Sequence, residues 1–406
     1  MKINNLNKLS YLILSLSIFV GLYFNIDSAG SGGFIIDFKS TWPLVENPLQ
    51  FSTDLEIKFP LHYYIAAVIY HIVNDKEILR IIYCLFATTI PYLFYLCLKI
   101  KFKKIDLNNL FLFSLIIFLL PSFRSAAIWP NTQITGIFFF LVSLLFFLKW
   151  EHKKQFNKFN KELLLLIFFM SLTIYTRQLY AMIFFYFVII FYLKLSKKIF
   201  FQTVIVIGSF ALPGIIFVLI WPNILKATFS FKPYNSLLVN SSILSFYLIP
   251  FFSILYFFEK KKEIINLRKL ELFFIAAFVL ICAFFFDYNY LMGGGFFIKL
   301  SKIFFGNFYL FYLTSIVGFY LLYLLSLEDK LNLLLIIIIL SAVSAYIIFM
   351  KYYEPMFILI LFLLLKTKLT SVFLVSKKYI LYYHLYFLIY LTSAIINSFF
   401  LLSKNI

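Results

Sequence analysis

Long apolar runs separated by short polar breaks fill almost the whole of this chain. Runs of spanning length predict membrane helices at 9–24, 81–98, 108–121, 132–148, 163–176, 179–193, 199–221, 238–258, 270–286, 304–326, 331–350, 355–365 and 379–402, thirteen in all. One stretch breaks this rhythm: residues 25–80 form the longest segment outside the spans. Within it Phe38, Trp42, Val45 and Leu49 recur at steps of four, three and four, an apolar stripe on a helix lying in the membrane interface. Pro43 and Pro48 should limit that helix to short pieces. After Pro60 comes LHYYIAAVIYHIV, Leu61–Val73, thirteen residues with His62 and His71 near its ends. It is too short to cross comfortably and reads as a second interfacial helix.

Charge tests this layout independently. With Leu61–Val73 kept out of the membrane, the segments assigned to the cytoplasm hold 24 of the 36 Lys and Arg, while the acids divide almost evenly between the two sides. Counting Leu61–Val73 as a span would place Lys99, Lys101, Lys103 and Lys104 outside and spoil the asymmetry that orients membrane proteins. The net charge of +19 is therefore explained without a nucleic-acid partner. A chain that is 63% hydrophobic and 22% aromatic could not cover its apolar surface as a soluble domain. The bias toward Phe, Ile, Lys and Asn fits an AT-rich genome, and a multi-pass protein of a bacterial inner (plasma) membrane is expected. No repeat, Walker motif or soluble domain interrupts the chain. The expectation is a single integral membrane domain over 1–406: an all-α polytopic bundle with an extracytoplasmic loop at 25–80, core spans over 81–300 and C-terminal spans over 301–406. Residues 11–24 could also form a signal-peptide core, with Ser28-Ala29-Gly30 as a small-residue cleavage site. A retained first span is preferred, because later helices need its company. Cys84, Cys97 and Cys282 all sit in apolar runs and imply neither a disulfide framework nor a metal motif.

The carboxylates are the more informative residues. Seven of the chain's 17 fall between Asp27 and Glu77. Asp37 follows a glycine-rich entry, GSGGFII, and a carboxylate at the mouth of a membrane cavity can take a proton from an acceptor hydroxyl or amine. Near a helix start it would equally be favoured by the dipole. Asp54 and Glu56 precede Lys58-Phe59-Pro60, where one of them can pair with Lys58, orient an acceptor or face a metal. Three of the four arginines, Arg80, Arg124 and Arg177, lie at predicted outer helix ends. Their planar forks match phosphate oxygens, and each could instead anchor a helix end or pair with a nearby acid, as Arg80 would with Glu77. The histidines are too scattered for a metal site, and Gly293–Gly295 lacks the strand–loop–helix context of a phosphate cradle.

Four segments together resemble the GT-C superfamily of membrane glycosyltransferases, including its PMT/ArnT-like and dolichyl-phosphate-sugar-dependent groups. The first outer loop opens on an acid, Asp37 in IIDFKSTWP. It closes on KFPLHYYIAAVIYHIVNDKEILR, which is similar to the family's proline–leucine–tyrosine segment ending in arginine. TRQLY at 176–180 resembles an Arg-Gln hairpin of the glucosyltransferases, and KYYEP at 351–355 resembles a late Arg-Tyr-x-x-Pro segment. This chain departs from the family pattern in having Asp37-Phe38 for an Asp-Glu pair, Phe59-Pro60 for a double proline and Lys351 for the late arginine. The resemblance implies transfer of a sugar from a polyprenyl-phosphate-linked donor to a glycan, lipid or protein acceptor at the extracytoplasmic face. Asp37 would be the general base, with Asp54 and Asp27 the alternatives. Arg124, Arg177, Lys351 and Tyr352 would hold the donor phosphate, and Lys58, His62 and Glu56 would position the acceptor or the loop. No motif demands a cofactor, and a divalent metal, Mg or Mn, is the one candidate.

Two other classes compete with this expectation. A lipid-linked glycan polymerase or ligase usually carries its largest outer loop late, whereas here it comes first. A flippase or an ion-coupled transporter needs ionisable residues inside its spans, and this chain has few.

Overall fold

The computed structural model describes residues 3–29, 33–48, 59–220, 232–259, 268–291, 293–344 and 347–404. Among them every regular element is helical. The polar residues that interrupt the apolar runs do much of the punctuation. Asn4, Asp75, Asp106, Asn131, Asn160, Asp329 and Thr367 each stand before a helix, and each side chain accepts a backbone N–H of the first turn. Those N–H groups have no intrahelical partner, so a short acceptor at that position sets where the helix begins.

Seven described helices are long and apolar enough to cross a membrane, or nine if each of two bent pairs counts as one span. Thirteen spans were expected. Part of the difference lies in apolar helices that are short, among them Tyr180–Lys194 and Lys330–Ala342; Leu61–Val73, not counted among the thirteen, is short as expected. The chain forms two compact units, Met1–Leu225 with Phe387–Ile406, and Lys226–Tyr386.

In the first unit the helices are α1 (Asn5–Tyr23), α2 (Gly33–Glu46), α3 (Leu61–Val73), α4 (Lys76–Lys101), α5 (Leu107–Ser114), α6 (Pro121–Ile128), α7 (Thr132–Lys153), α8 (Lys161–Thr176), α9 (Tyr180–Lys194) and α10 (Lys197–Ile220). Helix α3 has the bounds its apolar run predicts, and its buried side is His62, Tyr63, Ala66 and Ala67. Helix α2 buries Phe34, Phe38, Leu44 and Val45, so most of the predicted stripe turns inward; Leu49 lies outside the described residues. It also runs through Pro43 rather than stopping there, because the proline falls in its last turn, where one lost N–H bond ends little. Residues 121–131, expected as an outer loop, instead begin with a buried helix. Pro121 occupies the start of α6, where its missing N–H costs nothing, and the chain turns by 68° between α5 with its 3-10 extension and α6. All eight residues of α6 are buried, and its small Ser122, Ser125, Ala126 and Ala127 permit that depth.

In the second unit lie α11 (Pro233–Phe258), α12 (Lys269–Phe284), α13 (Gly295–Phe305), α14 (Tyr309–Ser326), α15 (Lys330–Ala342), α16 (Met356–Leu363) and α17 (Lys368–Val375), while α18 (Lys377–Lys404) begins in this unit and ends in the first. The segment around α16 and α17 bends by 101°. Helix α11 is the axis of the unit. A Cβ on Gly318 of α14 would fall 2.1 Å from the Ser241 carbonyl oxygen of α11, so the two backbones touch. Ser242 shares a 2.9 Å hydrogen bond with Thr314, and Ser315 donates to the Leu238 carbonyl at 3.0 Å. Small residues and short hydroxyl bonds are how apolar helices associate when lipid competes equally well for their side chains.

Candidate functional site

The polar residues of the first unit gather at the N-terminal end of α7. Asn131 caps that helix through its Oδ1, which accepts Gln133 N–H at 3.2 Å. Its Nδ2 faces Asp37 Oδ2 at 3.5 Å, the outer limit of a hydrogen bond. One turn on, Thr135 Oγ1 lies 2.8 Å from His62 Nδ1, and the Tyr83 hydroxyl reaches the same ring nitrogen at 3.4 Å. The next residue is Gly136. A Cβ there would lie 3.0 Å from Thr176 Oγ1 and 3.6 Å from Arg177 Cδ, so the absent side chain lets the α8–α9 turn lie against α7. Asp37, His62 and Arg177, far apart in sequence, thus all border the first turns of one helix, whose dipole makes that end a positive pole.

Aromatic contact links the Phe-Pro entry to the residue beside the Arg-Gln hairpin, two of the segments that carried the resemblance. Phe59 of the Phe-Pro entry meets Tyr175 edge-on, with ring centres 5.9 Å apart, and lies 5.8 Å from Phe217. Tyr175 is two residues before Arg177. Arg177 itself is half-buried and extended, and its N–H closes α8 on the Thr173 carbonyl at 3.0 Å.

Asp37 is half-buried on α2, and α2 is held in place by a second carboxylate. Asp27 is buried, and its Oδ2 accepts Phe34 N–H at 2.9 Å and Ile35 N–H at 3.3 Å, the first-turn donors of α2. Its Oδ1 accepts Ala29 N–H at 3.3 Å. Burial pushes the Asp27 carboxyl up, against the opposing effect of Ser125 and these backbone donors. The aromatic side of the site is Phe38, 5.8 Å from Trp129 and 5.4 Å from Trp42, with Trp42 edge-on to Tyr70 of α3 at 4.9 Å. Trp129 is 8% exposed, and its indole N–H has no hydrogen-bond partner among the described residues. A buried donor left open beside the carboxylate helix is the kind of group a ligand oxygen satisfies. The sequence reading passed over Trp129, Asn131 and Gly136. The signal for Asn131 was its position, a cap residue directly before an apolar run.

The other arginines serve the scaffold. Arg80 is 3% exposed and spends its whole fork: Nε on the Ile128 carbonyl at 3.0 Å, Nη1 on Glu77 at 2.8 Å and Nη2 on Asn25 at 2.8 Å, with the guanidinium 3.9 Å over the Trp129 ring. The i,i+3 pair with Glu77 is the one its spacing predicts. Arg124 lies on α6, and its donors point inward, to Ser17 Oγ at 2.8 Å, the Ser17 carbonyl at 2.6 Å and the Phe118 carbonyl at 3.3 Å. It ties α1 to α6.

Lys351 and Tyr352 belong to the second unit. They sit on a one-turn 3-10 helix, Met350–Tyr352, with the Lys351 amine 5.1 Å from the Phe349 ring. Gly293–Gly295 explains how this segment is held. All three glycines adopt positive φ. Gly294 N–H donates to the Ile348 carbonyl at 2.7 Å, and Cβ atoms on Gly293 and Gly295 would strike Ile348 and Ile243. The triple glycine is therefore a close-packed backbone clasp, helped by Tyr288, whose hydroxyl accepts Ile348 N–H at 2.8 Å. Burial pushes the Tyr288 phenol up to about 12. Just past Lys351, Glu354 is buried and accepts the Tyr247 hydroxyl at 3.0 Å.

Asp54, Glu56 and Lys58 lie outside the described residues. Among the described residues no group of three or more His, Cys, Asp or Glu could hold a metal ion. No family model, curated protein or solved structure matches this chain.

Proposed function

We propose that this protein is a membrane glycosyltransferase that moves a sugar from a polyprenyl-phosphate-linked donor to a glycan, lipid or protein acceptor. On this reading the fold is GT-C-like, with about thirteen crossings once the short and bent helices are included. Helices α2 and α3 lie at the extracytoplasmic interface of a bacterial inner membrane. The observation that carries the proposal is the gathering of Asp37, His62 and Arg177 around the start of α7, with Phe59 and Tyr175 joining two of the segments behind the resemblance.

The chemistry follows from these residue types. Asp37 takes the proton of the acceptor, and its charge offsets the positive charge that develops on the sugar carbon as the phosphate leaves. Asn131 orients that carboxylate. Arg177 holds the departing phosphate with a planar fork, beside the positive pole of α7. The open Trp129 N–H offers a donor to a sugar or phosphate oxygen. His62, buried on Thr135 and Tyr83, fixes α3 to α7 and so sets the loop that carries Phe59. Lys351 and Tyr352 enter the donor site on the strength of the resemblance alone, as do Asp54, Glu56 and Lys58. Arg124, with its fork turned into the bundle, is left to bracing.

The test is direct. The purified protein is offered a panel of polyprenyl-phosphate sugars, and Asp37→Asn is expected to abolish transfer while donor binding survives. Full turnover by that variant would move the base elsewhere, with Asp54 next to be changed.

A further inference from the structure

A cavity far from this site opens at the opposite, lysine-rich end of the first unit. It has a volume of about 470 Å³ and opens between the C-terminal halves of α4 and α7, next to the start of α5. Its walls are of two kinds. Leu96, Ile100 and Leu145 form an apolar face, and Lys99, Lys103 and Lys149 supply three cations. Among the described residues no carboxylate lines it. Neighbouring lysines on the same end are neutralised: Lys153 pairs with Glu162 at 2.7 Å, and Lys194 pairs with Glu151. The three cavity lysines make no ion pair with any described residue; Lys103 donates to His152, and the Lys149 amine rests 5.3 Å from the Phe146 ring.

Lysines at the ends of α4 and α7 suit the negative poles of those helices, and that would be reason enough for exposed side chains splayed into water. It does not explain why three of them converge on one hollow with a leucine and isoleucine floor. A hollow that is apolar at membrane depth and cationic at its rim has the chemistry of an amphiphile with an anionic head. Basic pockets between helices on the positively charged side of a membrane protein bind such headgroups. We infer that this cavity binds an anionic glycerophospholipid of the adjacent leaflet. Its phosphate would sit among Lys99, Lys103 and Lys149, and the upper part of an acyl chain would lie along Leu96, Ile100 and Leu145. The cavity is large enough for a headgroup and glycerol. The site is independent of the proposed transferase chemistry and lies on the other side of the bilayer.

The experiment reads thermal unfolding of the full-length protein, delipidated in neutral detergent, since a ligand of the folded state raises Tm in a saturable way. The additions are dioleoylphosphatidylglycerol, dioleoylphosphatidylcholine, dioleoylglycerol and inorganic phosphate. Only phosphatidylglycerol is expected to raise Tm. A variant carrying Lys99→Gln, Lys103→Gln and Lys149→Gln should lose that response, whereas Lys154→Gln, Lys197→Gln and Lys198→Gln, which removes the same charge from the same end, should keep it. If the cavity variant does not fold, each single substitution reads the same site and should weaken the lipid about fivefold. The inference is overturned if phosphatidylcholine or inorganic phosphate matches phosphatidylglycerol. It is also overturned if the control variant loses the response as fully as the cavity variant, or if the single substitutions leave affinity unchanged.

Discussion

The hydroxyl of Tyr175 receives the backbone N–H of Gly214 at 3.2 Å and passes a hydrogen bond on to the carbonyl of Phe210. In an unbroken helix that N–H and that carbonyl would bond to each other, four residues apart. Pro213 opens α10 at this point, and a tyrosine from α8 closes the gap. Gly214 makes room for it, since a Cβ there would lie 2.7 Å from Tyr175 Cε1. Because Tyr175 also meets Phe59, the kink of α10 and the entry to α3 share one anchor. Tyr175→Phe should therefore leave two backbone groups of α10 unpaired and cost about 1–3 kcal/mol, read as a lower Tm in detergent. Gly214→Ala should lower Tm as well, by displacing the ring. An unchanged Tm in Tyr175→Phe would mean the insertion contributes nothing.

Arg80 is the second anchor. Its three polar contacts and its stacking on Trp129 join three segments: the end of α1, α4, and the end of α6 with its cap Trp129. Lysine has one donor group where this site uses a fork, so Arg80→Lys should not be conservative. Both Arg80→Lys and Arg80→Ala are expected to lower Tm, the alanine variant by the equivalent of about 3–5 kcal/mol, since Glu77, Asn25 and the Ile128 carbonyl lose their partner together. Glu77→Gln, at an exposed partner, should cost under about 1 kcal/mol. Equal losses from Glu77→Gln and Arg80→Ala would show that the surface pair, rather than the buried fork, carries the stability.

Asp27 gives the fold a pH dependence. Its carboxyl is raised by burial, so its folded state favours the protonated form. The stability it contributes is whole below its unfolded pKa, about 3.9, and declines as pH rises through the folded value. Asn keeps an oxygen for Phe34 N–H and carries no charge at any pH. The Tm of Asp27→Asn relative to the parent should therefore rise between pH 4 and pH 8. Asp27→Ala, which removes the acceptor for the first turn of α2, should lower stability at every pH, by about 1 kcal/mol. A parent-to-Asn difference that is flat over this range would contradict the raised carboxyl.

How much of this was legible in the sequence depends on the range of the forces involved. Helix α3 was legible to the residue, because its bounds are set locally by Pro60 before it and by Asn74, in a left-handed cap, after it. So was the Arg80–Glu77 pair, which needs only helical spacing. Asp75, one of the seven acids of the region, is a helix cap, and Asp27 caps α2 across a loop, which no local pattern shows. Nothing near Gly293–Gly295 in sequence demands positive φ; the demand comes from Ile348, more than fifty residues later. The fate of Arg124 was hidden for the same reason. An arginine after Pro121 looks like a helix end facing water until the 68° bend turns it back toward Ser17.

Arg124 and Arg177 now make a matched comparison. Both are rare arginines near predicted outer helix ends, and the sequence offered both for the donor phosphate. Arg124 is 6% exposed and bound to Ser17 and Phe118, whereas Arg177 is half-buried at the turn that packs on Gly136. If the proposed chemistry holds, the two should separate cleanly. Arg177→Lys keeps the charge and loses the fork, so it should raise KM for a polyprenyl-phosphate sugar about tenfold, the loss of one good charge-assisted bond, with Tm little changed. Arg124→Lys should do the reverse, lowering Tm while KM stays near the parent value, because its bonds hold α1 rather than a ligand. Titration of donor binding alongside thermal unfolding checks both at once. A KM effect from Arg124→Lys in a protein of unchanged Tm would return that residue to the site, and an unaffected KM in Arg177→Lys would remove the phosphate from the α8–α9 turn.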